Sequence, residues 1–235
     1  MTIAILQPGY LPWLGFFEQM YKSDIFIIYD DVQYDKNGWR NRNRIKTVAG
    51  PLWLTVPVHV KFEERLLINK VIIDNKTGWA KKHLLTIKHN YAKAPFYNEY
   101  IGMFEEGYSN KWEYLVDLDM FFILKIAQSL GMRDKKIVKS SSLNIKGDRL
   151  SRLIEICRHF KADTFYEGKA GENYIDKEAF LKEGVKVEYQ DYQHPVYDQL
   201  YGDFIPYLSV IDLIFNCGKK SLDIINNVKI SGGVK

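Results

Sequence analysis

MTIAILQPGYLPWLGFFEQM, residues 1–20, holds a strand, a broken turn and the start of a helix. Ile3 to Leu6 is an apolar run too short for a helix and rich enough in isoleucine for a buried strand. Gln7-Pro8-Gly9 break it. Pro12 and Gly15 then punctuate a second turn before an apolar-periodic segment that begins near Leu14 and predicts a short helix over Phe16 to Tyr21. The next run, Asp24 to Tyr29, reads as a second strand with Asp30-Asp31 at its end. Strand, helix and strand make one βαβ unit, the seed of a parallel sheet with a right-handed crossover.

In such sheets the carboxyl ends of the strands and the helix N-termini face a common crevice, where ligands bind. Gln7 to Trp13 follow the first strand and Asp30-Asp31 the second, so both segments are expected at that crevice. Paired carboxylates there can hold a ribose, a metal or an amine, and can also simply begin a polar loop.

The chain has 235 residues, 46% hydrophobic and 26% charged, enough for one substantial core. Aromatic residues make up 14%, with 16 Tyr, 13 Phe and 5 Trp, a composition suited to walls around rings and sugars and equally to a Tyr-rich core. A net charge of +4 from 33 basic and 29 acidic residues is too balanced to indicate nucleic-acid binding. Two distant cysteines, Cys157 and Cys217, suit a reducing compartment. Without a signal-like segment or a run of 18 apolar residues, the expected setting is the cytoplasm.

Residues 32–50 form a polar stretch containing Trp39, Arg40, Asn41, Arg42, Asn43, Arg44 and Lys46. If it is extended, Arg40, Arg42, Arg44 and Lys46 share one face, and the guanidinium fork matches phosphate or carboxylate. Strands are expected over Leu52 to Val60, with Pro57 at an edge or bulge, and over Leu66 to Ile73. Helices are expected from about Thr77 to Asn90, Tyr97 to Glu106 and Leu115 to Leu130. Together they make a helical insertion over about 77–131 within a single α/β domain of residues 1–220, with a C-terminal tail over 221–235. No His and Cys cluster has metal-site spacing.

Ile137 to Lys139 reads as a strand followed by Ser140-Ser141-Ser142, a loop able to hold phosphate. Asp148 to Phe160 is an amphipathic helix. A short strand then runs into Tyr166-Glu167-Gly168-Lys169-Ala170-Gly171-Glu172-Asn173-Tyr174, a second strand-end loop. Its glycines admit close approach of a ligand, and Tyr166 and Tyr174 offer walls. Val185 to Tyr189 is a final strand, and Leu208 to Phe215 a closing helix that carries Asp212 among apolar neighbours. Between them lies an aromatic loop whose one histidine, His194, is a candidate general base.

QPGYLPWLGFFEQ, the block from YDDVQY to NRNRIK, LTVPV, EGKAGENY and HPVYDQLYGDFIPYLSVIDLIFNCG together resemble the WbqC-like proteins of bacteria. The resemblance runs in order from residue 1 to about 220. It implies a setting in O-antigen and surface polysaccharide biosynthesis, and an activity attaching glycine or another acyl group to an amino sugar. At the level of fold, the opening also resembles the nucleotide-binding units of adenylyltransferases and class I aminoacyl-tRNA synthetases, the nucleotidyltransferase/HUP class of Rossmann-like parallel sheets. The additional helices and a C-terminal helical segment are then elaborations. With Gly15 aligned to the glycine of their phosphate-gripping HIGH-type motif, the flanking positions are Trp13 and Phe16, and both histidines are missing. The EGKAG loop resembles a strand-end loop of pantothenate synthetase-like enzymes.

The expected function is therefore an acyl or aminoacyl transferase acting on a nucleotide-linked amino sugar. His194 and Asp31 are the expected catalytic pair. Gln7, Tyr10, Trp13, Asp30, Arg40, Arg42, Arg44, Tyr166, Glu167, Gly168 and Tyr174 are the expected substrate-binding residues. The ligand expected is a small molecule, a nucleotide-diphosphate amino sugar, with a nucleotide as the cofactor the resemblance implies. This composition of the site requires His194, Asp31 and Arg42 to line one cavity with the opening loop. The other reading is an accessory protein that binds a nucleotide or sugar without chemistry, since no nucleophile constellation stands out.

Overall fold

The computed structural model describes residues 1–36, 38–60 and 65–227. The opening βαβ unit forms as expected: β1 (Thr2–Leu6), α1 (Leu14–Lys22) and β2 (Ile25–Ile28). An antiparallel hairpin follows, β3 (Arg42–Thr47) with β4 (Gly50–Thr55), then a minimal pair, β5 (Val58–His59) with β6 (Ile72–Ile73). Three helices come next, α2 (Trp79–Tyr91), α3 (Tyr97–Ser109) and α4 (Leu115–Ser129). The chain returns to the sheet with β7 (Lys136–Lys139), α5 (Arg149–His159), β8 (Thr164–Glu167), α6 (Lys177–Lys182) and β9 (Lys186–Tyr189). It ends on α7 (Val210–Cys217) and α8 (Ser221–Ile225). The last of these falls in the expected tail, of which residues from 228 onward lie outside the described residues.

The five sheet strands are all parallel, in the order β7-β2-β1-β8-β9. This is a Rossmann-like α/β fold. β1 leads outward in one direction to β2 and β7, and β8 leads in the other to β9, so the topological switch lies between β1 and β8. Alternation along the strands feeds two cores. Ala4, Phe26 and Ile28 face the larger one, with Leu14, Phe17 and Met20 of α1 and residues from α2, α3, α4 and α7. Ile3, Ile5, Ile25 and Ile27 face the other, with Leu153, Ile156 and Cys157 of α5 and Phe180 of α6. Period-two alternation with both faces covered explains why these strands read as continuous apolar runs.

The strand expected over Leu52 to Val60 is interrupted at Val56-Pro57, as the missing proline N–H requires. Leu66 to Ile73 is not one strand. Ile68–Lys70 is a 3₁₀ turn, because the amides of Ile68 and Asn69 donate to the carbonyls of Val32 and Asp30, at 2.9 Å each, instead of to a strand partner. No described helix is long and apolar enough to cross a membrane.

Candidate ligand site at the sheet switch point

β1 and β8 pair only at Thr2–Thr164 and Ile3–Phe165, although β1 continues to Leu6 and β8 to Glu167. Their carboxyl ends are therefore unpaired with each other, and a cavity of about 700 Å³ opens there. That size is within the range of small-molecule sites. It is lined by Gln7, Gly9, Pro12, Trp13 and Phe16 from the opening loop and α1, and by Glu167 and Tyr174 from the β8 end. Trp39, Arg40, Asn43 and Arg44 come from the polar stretch, Arg149 and Leu153 from α5, and Tyr29 and Tyr207 complete the walls.

The opening loop is held by the polar stretch through its carbonyls. Arg40 Nη1 donates to Gln7 O at 3.0 Å and Pro8 O at 2.8 Å, and Asn43 Nδ2 donates to Leu11 O at 2.6 Å. The Tyr10 amide donates to Arg40 O at 3.0 Å. Gly9 is required by this approach: a Cβ there would lie 2.9 Å from Trp39 O. Gly15 is required by Trp13, whose indole folds over it to within 2.3 Å of where a Cβ would stand. The Trp13 ring thus covers the N-terminal turn of α1.

Three cations line the cavity, Arg40, Arg44 and Arg149, against one carboxylate, Glu167. The Nε atoms of Arg40 and Arg44 have no hydrogen-bond partner among the described residues. Glu167 accepts from the Gly168 amide at 3.1 Å and from the Tyr174 hydroxyl at 3.3 Å. Burial pushes its carboxyl up to about 7, against the smaller opposing pull of those two bonds and of Arg149. A cationic, aromatic-walled cavity with one carboxyl poised near neutrality can bind an anion and move a proton.

Of the residues expected from sequence, the fold brings Gln7, Trp13, Arg40, Arg44, Glu167 and Tyr174 to the cavity. Gly168 donates its amide to Glu167 from just behind the wall. Several others are corrected. Tyr10 is fully buried, its hydroxyl bonded to His83 Nδ1 at 2.8 Å and to the Tyr108 hydroxyl. Tyr166 is not among the cavity-lining residues and donates its hydroxyl to Glu18 at 3.0 Å. Asp30 is buried and accepts from the Ser141 amide at 3.0 Å, the Ser141 hydroxyl at 2.7 Å and the Ser140 hydroxyl at 3.2 Å. The serine run therefore satisfies a carboxylate and does not present itself to phosphate. Asp31 pairs with Arg152 of α5 and accepts from Ser140.

Arg42 lies outside the cavity, its guanidinium 4.8 Å from the Trp53 ring centre. Lys46 is buried, donating to Gln199 Oε1 at 3.0 Å and Asp203 O at 2.5 Å. His194 stands behind Tyr207, with both ring nitrogens engaged by backbone. Nε2 accepts from the Tyr207 amide at 3.1 Å, which makes Nδ1–H the donor to Pro195 O at 2.9 Å. Burial lowers its pKa. So His194, Asp31 and Arg42 do not line one cavity with the opening loop, and the site composed from sequence is replaced by the one around Glu167.

Sequence reasoning missed Arg149, Tyr29 and Tyr207. Arg149 had a local signal, since it is the first residue of a helix capped by Asp148, whose carboxylate accepts from the Ser151 amide at 2.8 Å. Neither cysteine lines the cavity, and burial pushes both thiols up to about 12, toward the less reactive protonated form. Asp212, expected to need a partner, accepts from the hydroxyls of Tyr91 at 2.8 Å and Tyr197 at 3.0 Å. Among the described residues no group of three or more His, Cys, Asp or Glu is arranged to hold a metal ion.

Comparison with known proteins agrees over nearly the whole chain. A family model described as the WbqC-like protein family matches residues 7–224. An uncharacterized protein of Mycobacterium tuberculosis (strain ATCC 25618 / H37Rv), Rv1507c, is 35% identical over 227 residues, which is 94% of this chain and 96% of that protein. No solved structure matches.

Proposed function

The chain belongs to the WbqC-like protein family, and we propose that it is a transferase that attaches an acyl or aminoacyl group, such as glycyl, to a nucleotide-linked amino sugar used in surface polysaccharide synthesis. The observation that carries this reading is the grouping of Arg40, Arg44 and Arg149 with Glu167 in one cavity at the sheet switch point. The arginines suit a diphosphate, which guanidinium forks bind through charge-assisted bonds. Trp13, Tyr29 and Tyr174 supply flat walls for the sugar.

Glu167 takes the role first assigned to His194. In the transfer, the amine nitrogen attacks the carbonyl carbon of an activated acyl donor, a thioester or acyl phosphate. The new N–C bond forms as the bond from carbon to the leaving thiolate or phosphate breaks. The proton released from nitrogen passes to the Glu167 carboxylate and on to the departing group. A base with a pKa near the working pH is the chemically suited one for this step.

One observation favours a second reading, a binding protein without chemistry: the histidine expected to serve as base, His194, has both nitrogens occupied by backbone and does not line the cavity. Mass spectrometry of nucleotide-linked amino sugars, incubated with the protein and thioester or acyl-phosphate donors, separates the two. A mass gain that disappears in Glu167→Gln supports transfer. Ligand binding without mass gain for any donor supports the second reading, and absence of both removes the cavity as a nucleotide-sugar site.

A further inference from the structure

Trp39 and Trp53 are 46% and 43% exposed, high values for indoles, and their ring centres are 5.2 Å apart at an interplanar angle of 36°. Trp53 stands opposite Arg44 in the β3–β4 register. The Arg44 guanidinium is 5.6 Å from the Trp53 ring centre and 5.9 Å from that of Trp39, and Arg42 is 4.8 Å from Trp53. The hairpin and the segment leading into it thus carry two solvent-facing indoles with two cations against them. Such a patch is costly to leave in water and is usually the mark of a binding surface.

What gives the patch an occupant is its continuity with the cavity. Trp39 and Arg44 belong to both, so a ligand whose anionic centre lies on the cavity arginines and whose chain leaves by this rim passes over the Trp39 ring. Two flat indole faces with guanidinium planes beside them suit a planar heterocycle, which stacks on a ring face whatever its identity. Guanidinium planes beside the rings also offer donors to the edge of such a heterocycle.

We propose that Trp39 and Trp53, with Arg42 and Arg44 against them, form a stacking subsite for the base of a nucleoside diphosphate. The diphosphate then lies over Arg44, Arg40 and Arg149, and the group it carries points inward to Glu167. The inference rests on the cavity being a nucleotide-sugar site and adds the direction in which the ligand lies. Stacking on an aromatic face tolerates any base, so discrimination between bases at this subsite is expected to be weak.

Calorimetric titration tests the orientation with three probes: inorganic pyrophosphate, the nucleoside diphosphates ADP and UDP, and glucosamine 1-phosphate. Trp39→Ala and Trp53→Ala are each expected to weaken both nucleoside diphosphates by roughly tenfold, with Trp39→Phe recovering most of the loss, and Trp53→Ala, which lies outside the cavity lining, is expected to leave pyrophosphate unchanged. Unchanged pyrophosphate binding also shows that this variant is folded. Unchanged nucleoside diphosphate affinity in the alanine variants overturns the subsite, and so does an equal loss for pyrophosphate in Trp53→Ala. Weakening confined to glucosamine 1-phosphate overturns it in favour of a sugar at the rim. A wild-type protein that binds none of the probes overturns the underlying reading of the cavity as well.

Discussion

Arg149 and Tyr174 lie face to face in the cavity wall, the guanidinium carbon 3.6 Å from the ring centre. The Tyr174 hydroxyl in turn donates to Glu167 at 3.3 Å. One cation, one phenol and one carboxyl are thereby coupled at the mouth of the β8 strand, and the ionisation of Glu167 depends on both neighbours.

Tyr174→Phe removes a hydrogen bond that favours the charged carboxylate. The Glu167 pKa is expected to rise by about one unit, the worth of a bond of about 1.5 kcal/mol to a charged group. A pH titration followed by the side-chain carboxyl carbon signal reads this directly. A fall in the midpoint, or none, would show that the hydroxyl does not reach the carboxylate in solution.

Glu167 ionises near 4.5 in an unfolded chain and at about 7 in the folded protein. As pH rises between those values the unfolded state gives up its proton first, so stability falls with rising pH. The full penalty is on the order of 3 kcal/mol above pH 7 and absent below pH 4.5. Glu167→Gln cannot ionise, so its thermal midpoint is expected to exceed that of the wild type by several degrees at pH 8 and to lose that advantage at pH 4. Equal differences at both pH values would mean that the carboxyl is not held protonated by the fold.

Tyr207 has a φ of 57°, an unusual conformation for a bulky side chain, and it lines the cavity. His194 accepts from its amide, while Arg44 donates to its carbonyl at 3.3 Å. His194→Ala is expected to release this strained turn, to weaken pyrophosphate binding several-fold and, on the proposed transfer with Glu167 as base, to leave the pH midpoint of turnover unchanged. Loss of turnover with binding intact would return His194 to the role of base.

Arg44→Ala is expected to weaken pyrophosphate binding by about 1.5–3 kcal/mol, as for a charge-assisted bond. Arg42→Ala, which touches Trp53 and not the cavity, is expected to cost below about 1 kcal/mol. Calorimetry on the two variants reverses this ranking if the guanidinium face expected from sequence is the one that meets the ligand.

Tyr10→Phe leaves His83 and Tyr108 short of a buried partner and is expected to cost about 1–3 kcal/mol of stability. Denaturant unfolding measures it. Pyrophosphate binding should be unchanged, because the hydroxyl faces the core.

The βαβ opening, the parallel sheet, the helices and the place of the cavity at the strand ends were legible in the chain. Each rests on a local pattern: the Ile3–Leu6 run, the Pro and Gly break after it, and helical periodicity over 97–130. Local patterns report which faces are apolar and where the backbone turns, and a doubly wound sheet leaves few ways to assemble them. Glu167 and Trp13, read from strand ends, and Arg40, read from the arginine row, line the cavity.

Which polar groups face the cavity was settled by packing across long separations. Asp30 and Asp31 look like a site because they end a strand, yet Ser140, Ser141 and Arg152, more than 100 residues away, satisfy them. His194 looks like a base because it is the one histidine of its loop, yet its ring is occupied by two backbone groups. Arg149 enters the cavity only because α5 crosses beside the splayed ends of β1 and β8. A side chain's chemistry is set by its desolvation and by its partners. The chain order names the residue, and the fold alone brings those partners to it.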